Sequence, residues 1–309
     1  MKALTLNGYD GLPSLKFAEV ATPEPGPNDV LVKVKAASVN PVDTKIARGY
    51  GGPSQRPLPH VLGRDCAGTV AKVGSGVTGF KAGDEVYGVA DAARWGTFAE
   101  YVTMPAATTS RSPAGMSAVD AGSIPIAGLS AWAGIVTAGK LAKGQRVLIH
   151  AGAGGVGSFA VQLAKHIGAT VAVTAGSKNV DFVRSLGADQ VIDYTKTDFA
   201  AAIKDVDLVF DLIGGDVRFK SFPVLKPGGV ITHISVPPMT QAPPRSDVEV
   251  RPAAVKYDAA LLDQITALVA SRAVQPVVTE VFAFGDALKA FEHVMTGHAR
   301  GKVMLDMTQ

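Results

Sequence analysis

Three glycines, Gly152, Gly154 and Gly157, stand in the stretch LIHAGAGGVGSFAVQLAKHIG, residues 148 to 168. Their spacing is G-x-G-x-x-G, and the flanking sequence gives it weight. An apolar run at 146–150 precedes it, and Phe159, Ala160, Leu163, Ala164 and Ile167 recur after it at helical spacing. In such a strand–turn–helix, Gly152 permits the tight turn and Gly154 lets backbone N–H groups approach a pyrophosphate. Gly157 lets the helix pack close to the strand. The helix N-terminus adds free N–H groups and a partial positive charge. The backbone of Gly152, Ala153, Gly154, Gly155, Val156 and Gly157 is therefore the expected dinucleotide cradle. A plain βα turn with flexible glycines is the alternative.

The next strand selects the dinucleotide. NAD sites usually place a carboxylate about 20 residues further on, where it bonds the ribose 2′-hydroxyl. Here the strand reads TVAVTAGSKNV, and positions 172 to 180 contain no carboxylate. Ser177 and Lys178 stand there instead, a hydroxyl and an ammonium suited to a 2′-phosphate. This favours NADPH over NADH; the alternative for Lys178 is a solvated lysine in a first helical turn. Leu212, Ile213 and Gly214 follow the strand DLVFD, and Ser235 ends the strand after it. Both are C-terminal strand ends, where open α/β sheets bind ligands. His150 and His233 are lone strand histidines and read as packed structural residues. Cys66, the single cysteine, lies in an apolar, glycine-flanked run and reads as core.

These residues need two kinds of scaffold. Residues 1 to about 118 carry short runs with alternation or β-branched content, such as DVLVKVKAASV, AGTVAKVG and DEVYGV, broken by Gly and Pro turns. They predict a barrel-like β domain. From 119 the runs RVLIH, TVAVT, QVID, DLVFDL and GVITHIS are near-continuously apolar, as strands buried on both faces are. Helical stretches at 155–167, 178–186, 198–204 and 217–225 separate them, so the order predicts a parallel sheet. The tail, with helices at 258–272 and 285–297 and a last strand at 301–306, breaks that rhythm and is expected to complete the first domain. The domains are thus 1–118 with 254–309, and 119–253. The chain of 309 residues is 47% hydrophobic and 18% charged, with a net charge of +3. That composition supports a sizeable core and argues against a nucleic-acid or membrane-surface protein. No signal-peptide core opens the chain, and no apolar run reaches the roughly 18 residues of a membrane span. One cysteine permits no intrachain disulfide and no cysteine-rich zinc site, and a cytoplasmic location is the simplest expectation.

With MKAL at the N-terminus, AASVNPVD (36–43), LGRDCAGTVAKVGSGVTGFKAGDEVYG (62–88), GTFAEYV (96–102), IAGLSAW (126–132), the glycine loop, SLGADQVIDY (185–194) and GHARGKVMLD (297–306), the chain resembles the medium-chain dehydrogenase/reductase superfamily. Within it the chain is similar to the zinc-free quinone oxidoreductases, the zeta-crystallin-like branch. The resemblance implies an α/β chain: a GroES-like, mostly β catalytic domain plus a Rossmann domain with a doubly wound parallel sheet, usually dimeric or tetrameric. A homodimer is expected. Zinc alcohol dehydrogenases carry Cys and His-Glu at the positions matching Asn40 and Arg64-Asp65. Asn is a poor zinc ligand and Arg is none, so no metal is expected.

What remains is hydride transfer from NADPH to a small-molecule acceptor, a quinone by the resemblance, or the C=C bond of an α,β-unsaturated carbonyl. A non-catalytic NADPH-binding protein is the reading from a different class. Asn40 is expected to bond the acceptor carbonyl or the nicotinamide ribose, or else to cap its own turn before Pro41. Arg64 either stabilises an enolate or semiquinone-like anion or pairs with Asp65 or Asp43. Tyr50 stacks on the acceptor or is an exposed loop residue. The resemblance places Ser130 near the nicotinamide and Tyr194 against the adenine, and groups Asp65 with the cofactor residues. Arg300 and Lys302 either reach cofactor phosphates or solvate the last strand.

Overall fold

The computed structural model describes residues 1–50, 57–91, 93–234 and 241–309. They form two compact units, Met1–Ile126 with Tyr257–Ala270 and Pro276–Gln309, and Ala127–Lys256 with Ser271–Gln275.

The first unit is built on the long strand Asp29–Val39, whose residues are buried along most of its length. It pairs antiparallel with Asp65–Val73 on one edge, and on the other with Tyr101–Pro105 and, further along, the last strand, Lys302–Asp306. Glu85–Val89 and Thr109–Arg111 extend the sheet beyond Asp65–Val73. The tail strand Val278–Ala283 runs parallel to Lys302–Asp306 at the edge of this sheet. A smaller sheet joins Lys2–Leu6 to Leu15–Glu19 and His60–Val61. The core collects the inward residues of both sheets, among them Leu4, Val32, Val34, Met104 and Leu305, with Phe291 of the helix Ala287–Met295. Helix Ala259–Ala270 packs here as well: the Tyr87 hydroxyl donates to the Leu262 carbonyl at 3.1 Å.

The second unit holds six parallel strands. Across the sheet they run Gln190–Asp193, Thr170–Ala175, Arg146–Ile149, Val206–Asp211, Leu225–His233 and Glu249–Pro252. In chain order this is 3-2-1-4-5-6, the doubly wound arrangement in which direction reverses between the first and fourth strands. The glycine loop leaves the first and Leu212–Gly214 leave the fourth, so both border that reversal. The helix Gly155–Ile167 spans the expected residues. The stretch expected at 178–186 divides into a 3₁₀ turn, Ser177–Asn179, and a short helix, Val180–Ser185. Pro223 similarly ends the helix Asp216–Ser221 early, because it has no N–H to continue the ladder. The sequence reading passed over the edge strand Glu249–Pro252 and the helix Pro125–Trp132, which continues as a π-helical turn over Ala133–Ala138.

Candidate active site

Asn40 caps the helix Pro41–Ala47, and its backbone N–H donates to Asp43 Oδ2 at 2.7 Å. Its side-chain amide is held at both ends. Lys302 Nζ donates to Oδ1 at 2.6 Å, while Nδ2 donates to Asp65 Oδ1 at 2.8 Å and to Ser38 Oγ at 3.1 Å. An ammonium only donates and a carboxylate only accepts, so the chemistry of the partners fixes the amide's orientation. Asp65 is filled in turn: Ser38 Oγ also donates to Oδ1, and the Ile126 N–H donates to Oδ2 at 3.1 Å. Ser38, Asn40, Asp43, Asp65 and Lys302 are all buried.

This network decides between the expected roles. Both amide hydrogens of Asn40 are committed inside the protein, which closes its role as donor to an acceptor carbonyl. One lone pair of Oδ1 remains, suited to an incoming hydroxyl such as that of a ribose. Asp65 is fully buried with both oxygens engaged by Ser38, Asn40 and Ile126, so it positions Asn40 rather than facing a ligand. Lys302 does not solvate the last strand, because its ammonium is buried against Asn40. Burial lowers the Lys302 pKa, opposed by Asp65 and Asp43. Burial also pushes Asp43 up to about 7, and its Oδ1 has no hydrogen-bond partner.

Arg64 precedes Asp65 and forms no ion pair with Asp65 or Asp43 among the described residues, contrary to its structural alternative. Two rings flank its guanidinium instead, Trp95 at 5.1 Å and Tyr257 at 4.6 Å from the ring centroids. Its Nε is buried without a hydrogen bond. Tyr50 is 62% exposed at the end of the described segment 1–50. Cys66 is buried, and burial raises its thiol pKa, as a core residue requires.

In the second unit the three motif glycines differ physically. A Cβ on Gly152 would lie 2.1 Å from Val173 Cγ1, and one on Gly157 would lie 2.3 Å from the Ala151 carbonyl oxygen. Both glycines are required by the fold itself. Gly154 has φ −76°, open to any residue, and its Cβ would meet only the Ala151 oxygen at 3.5 Å. The chain's own packing does not explain this glycine; space left for a pyrophosphate does. The helix behind it carries no side-chain cap and no acid in its first turn, so its N–H groups face no competing anion. Ala151 adopts φ +52°, a left-handed conformation costly for a non-glycine residue and frequent where a loop is held for function. The loop of Gly152, Ala153, Gly154, Gly155, Val156 and Gly157 therefore fits a dinucleotide.

The turn of Ser177 and Lys178, expected to meet a 2′-phosphate, lies beside a carboxylate that the sequence alone does not reveal. Asp193 ends the neighbouring strand, and Ser177 Oγ donates to its Oδ2 at 2.5 Å. That bond and those from Thr195 lower the Asp193 pKa to about 2. Parallel pairing of Ala175 with Asp193 brings the acid alongside. Tyr194 is 53% exposed, and its hydroxyl lies 3.3 Å from where a Gly176 Cβ would stand, so it borders the same turn. At the other strand end, Asp211 Oδ1 accepts from the N–H groups of Ile213 at 2.9 Å and Gly214 at 2.8 Å. These amides are spent inside the protein, leaving the carbonyls and side chains of Leu212 to Gly214 for a ligand. Ser130 is buried on the helix Pro125–Trp132, and Ser235 lies outside the described residues. His150 is a packed residue: its ring nitrogens lie 3.0 Å from Thr174 Oγ1 and 3.0 Å from Ser221 Oγ. Burial lowers its pKa to about 4.

A zinc ion does not fit the positions where zinc dehydrogenases place ligands. Asn40 Oδ1 already accepts from an ammonium, and the neighbouring position is a guanidinium. Neither is compatible with a divalent cation's need for several N, O or S donors.

Residues 26–114 match the family model described as an alcohol dehydrogenase GroES-like domain, and residues 186–305 the one described as a zinc-binding dehydrogenase. An NADPH-dependent alkenal/one oxidoreductase of Arabidopsis thaliana is 37% identical, over 99% of this chain and 79% of that protein. A chloroplast envelope quinone oxidoreductase homologue from the same plant is 35% identical, over 99% and 98%. The solved quinone oxidoreductase of Coxiella burnetii superposes with a TM-score of 0.93 at 35% identity, covering 99% of both chains. With a GroES-like and a doubly wound unit, and with Asn40 and Arg64 where metal ligands would stand, the chain belongs to the zinc-free quinone oxidoreductase family of the medium-chain dehydrogenase/reductases.

Proposed function

We propose that this protein is an NADPH-dependent reductase that transfers hydride to a quinone or to the C=C bond of an α,β-unsaturated carbonyl. One observation carries the reading. Where a metal-dependent relative polarises an alcohol or carbonyl with zinc, this chain holds an amide locked by Lys302 and Asp65. The acceptor must then be electrophilic without a Lewis acid, and conjugated carbonyls and quinones are. The cofactor supplies the hydride, and the glycine loop holds its pyrophosphate. Asn40 Oδ1 accepts from the nicotinamide ribose and orients the ring. Hydride arrival leaves negative charge on the acceptor oxygen, which the positive charge of Arg64 stabilises through space, and the proton comes from water. Ser130, Leu212, Ile213 and Gly214 complete the nicotinamide side, and Tyr50 borders the acceptor.

Lys178 supports NADPH over NADH, with Ser177 held by Asp193, and Tyr194 stacks on the adenine. A homodimer in the cytoplasm is the proposed state; no helix of the described residues is long and apolar enough to cross a membrane. The relative named for alkenals and enones supports the C=C reading as strongly as the quinone-named relatives support the other. Oxidation of NADPH and NADH in parallel against 1,4-benzoquinone, menadione, 2-hexenal and 3-penten-2-one tests the proposal. Turnover with one acceptor class names the substrate, and tight NADPH binding with no turnover across the panel leaves a non-catalytic binding protein.

A further inference from the structure

Arg64 is a cation without a counterion. It forms no ion pair among the described residues, and the undescribed residues contain no Asp or Glu. Its guanidinium carbon lies over the Trp95 ring at 5.1 Å and over the Tyr257 ring at 4.6 Å from the centroids, and these rings hold the cation without supplying the oxygen acceptors its N–H groups need. The clamp is built deliberately into the backbone. Trp95 holds φ +57° although it is not glycine, its ring is buried, and Ala90 N–H ties the Arg64 carbonyl at 2.7 Å. Nε, already desolvated, has no acceptor. The surroundings do not neutralise the charge. Lys302 offsets the charge of Asp65, whose oxygens are already taken by Ser38, Asn40 and Ile126, and burial keeps Asp43 largely protonated below about pH 7. A transient oxyanion, present only during turnover, leaves this imbalance standing in the resting complex. A permanent anion on the ligand removes it, and a planar guanidinium edge matches a carboxylate in two parallel hydrogen bonds.

Resting on the reductase reading above, we propose that the acceptor carries a carboxylate, and that Arg64, held against Trp95 and Tyr257, binds it. The substrate class is the conjugated oxo acid, an enone or enal with a carboxylate substituent. Hydride from the cofactor adds to the β-carbon, the C=C electrons move onto the carbonyl oxygen as an enolate, and a water proton at the α-carbon completes the saturated oxo acid. The carboxylate is a handle and does not react.

The test compares trans-4-oxo-2-pentenoate with its methyl ester, with NADPH and with 1,4-benzoquinone as an uncharged control. The ester differs in intrinsic reactivity, so the readout is the acid-to-ester ratio of kcat/KM in each variant relative to wild type. R64Q lowers that ratio at least tenfold, mainly through KM for the acid, R64K recovers part of it, and Y257A lowers it while Y257F does not. Inhibition by 4-oxopentanoate, the saturated product, gives a reading independent of turnover: it weakens in R64Q in parallel. An unchanged ratio in folded R64Q and Y257A overturns the proposal while benzoquinone or ester turnover keeps the reductase reading. A rise in KM for NADPH that is equal with acid and ester assigns Arg64 to the cofactor and also overturns it. Failure of every acceptor with Arg64-dependent 4-oxopentanoate binding retained defeats the reductase reading and leaves the anion site standing.

Discussion

The three glycines of the loop make a prediction that separates folding from binding. In Gly157→Ala, the new Cβ would sit 2.3 Å from the Ala151 carbonyl oxygen and 2.7 Å from Gly152 Cα. Backbone must move to admit it. Overpacking of this kind costs about 1–3 kcal/mol, and the better helix propensity of alanine returns at most about 1 kcal/mol. Gly154→Ala meets nothing closer than 3.5 Å at an ordinary φ. Losing the glycine's freedom in the unfolded chain contributes about 0.4–1 kcal/mol, offset by a few tenths at the N-cap, so stability stays within about 1 kcal/mol of wild type. The methyl of Gly154→Ala does occupy the space assigned to the pyrophosphate. Displacing that group by a few tenths of an ångström from its N–H donors weakens charge-assisted bonds, and a loss of about 1.4 kcal/mol is a tenfold rise in Kd. Thermal melts with and without saturating NADPH, with Kd from titration calorimetry, read both terms. At roughly 2–4 °C per kcal/mol, Gly154→Ala melts within about 4 °C of wild type but loses about 3–6 °C of the NADPH-induced gain. Gly157→Ala melts several degrees lower before any cofactor is added. Wild-type NADPH affinity in Gly154→Ala would refute the argument that ligand, not packing, requires this glycine.

Four further outcomes are expected. Asp43 has a raised pKa, so the folded state holds its proton where the unfolded chain releases it; its contribution to stability declines as pH rises from about 4 to 7, by as much as ~4 kcal/mol. His150 has a lowered pKa, so its contribution declines in the other direction, as pH falls from 6.5 toward 4, by ~3 kcal/mol. Denaturant melts across pH 4–7 should therefore show D43N gaining stability relative to wild type as pH rises, and H150Q gaining as pH falls; parallel curves for both would refute the two burials. Lys302→Met removes the ammonium from Asn40 Oδ1 and should raise KM for NADPH about tenfold, from the lost charge-assisted bond, with a smaller change in melting because a costly buried charge also disappears; an unchanged KM means the amide needs no lock. EDTA should leave turnover unchanged, and zinc recovered at one equivalent by metal analysis would overturn the reading of Asn40 and Arg64.

What was legible in the sequence was local. The glycine loop, the helix after it and the apolar strands each announce themselves within about 20 residues, and their order gives the doubly wound sheet. The absence of zinc ligands at Asn40 and Arg64 needed only residue types. What stayed hidden depended on contacts between distant segments. Asp193 reaches Ser177 only through strand pairing, so a scan of positions 172 to 180 found no acid although the fold supplies one. Asp211 shows a faint signal, an acid followed by two residues and a glycine pair, but its grip on the Ile213 and Gly214 amides is visible only in the structure. Trp95 and Tyr257, 162 positions apart in the chain, carry no mark that they flank one arginine.

Lys302 is the most instructive of these. It lies 262 positions from Asn40, and a lysine near a C-terminus is ordinarily a solvated one. Its burial follows from the sheet. Val303 pairs with Val39, which places the start of the last strand beside the residue that ends the long one, and so beside Asn40. Once there, the ammonium meets a need that the sequence states only implicitly. Asp43 and Asp65 are buried carboxyls a few residues from two positions that have lost metal-ligand character, and buried carboxyls without a cation are costly. Lys302 supplies positive charge to both, and it does so as a donor that also orients an amide. A zinc site and this one thus answer the same electrostatic demand differently. The metal would balance the acids while polarising a substrate oxygen; here the lysine balances Asp65 with its reach spent on Asn40, and Asp43 keeps its proton instead. Activation of the acceptor then rests on its own conjugation and on whatever charge Arg64 contributes, which is why the chemistry moves from alcohols to acceptors that are already electrophilic.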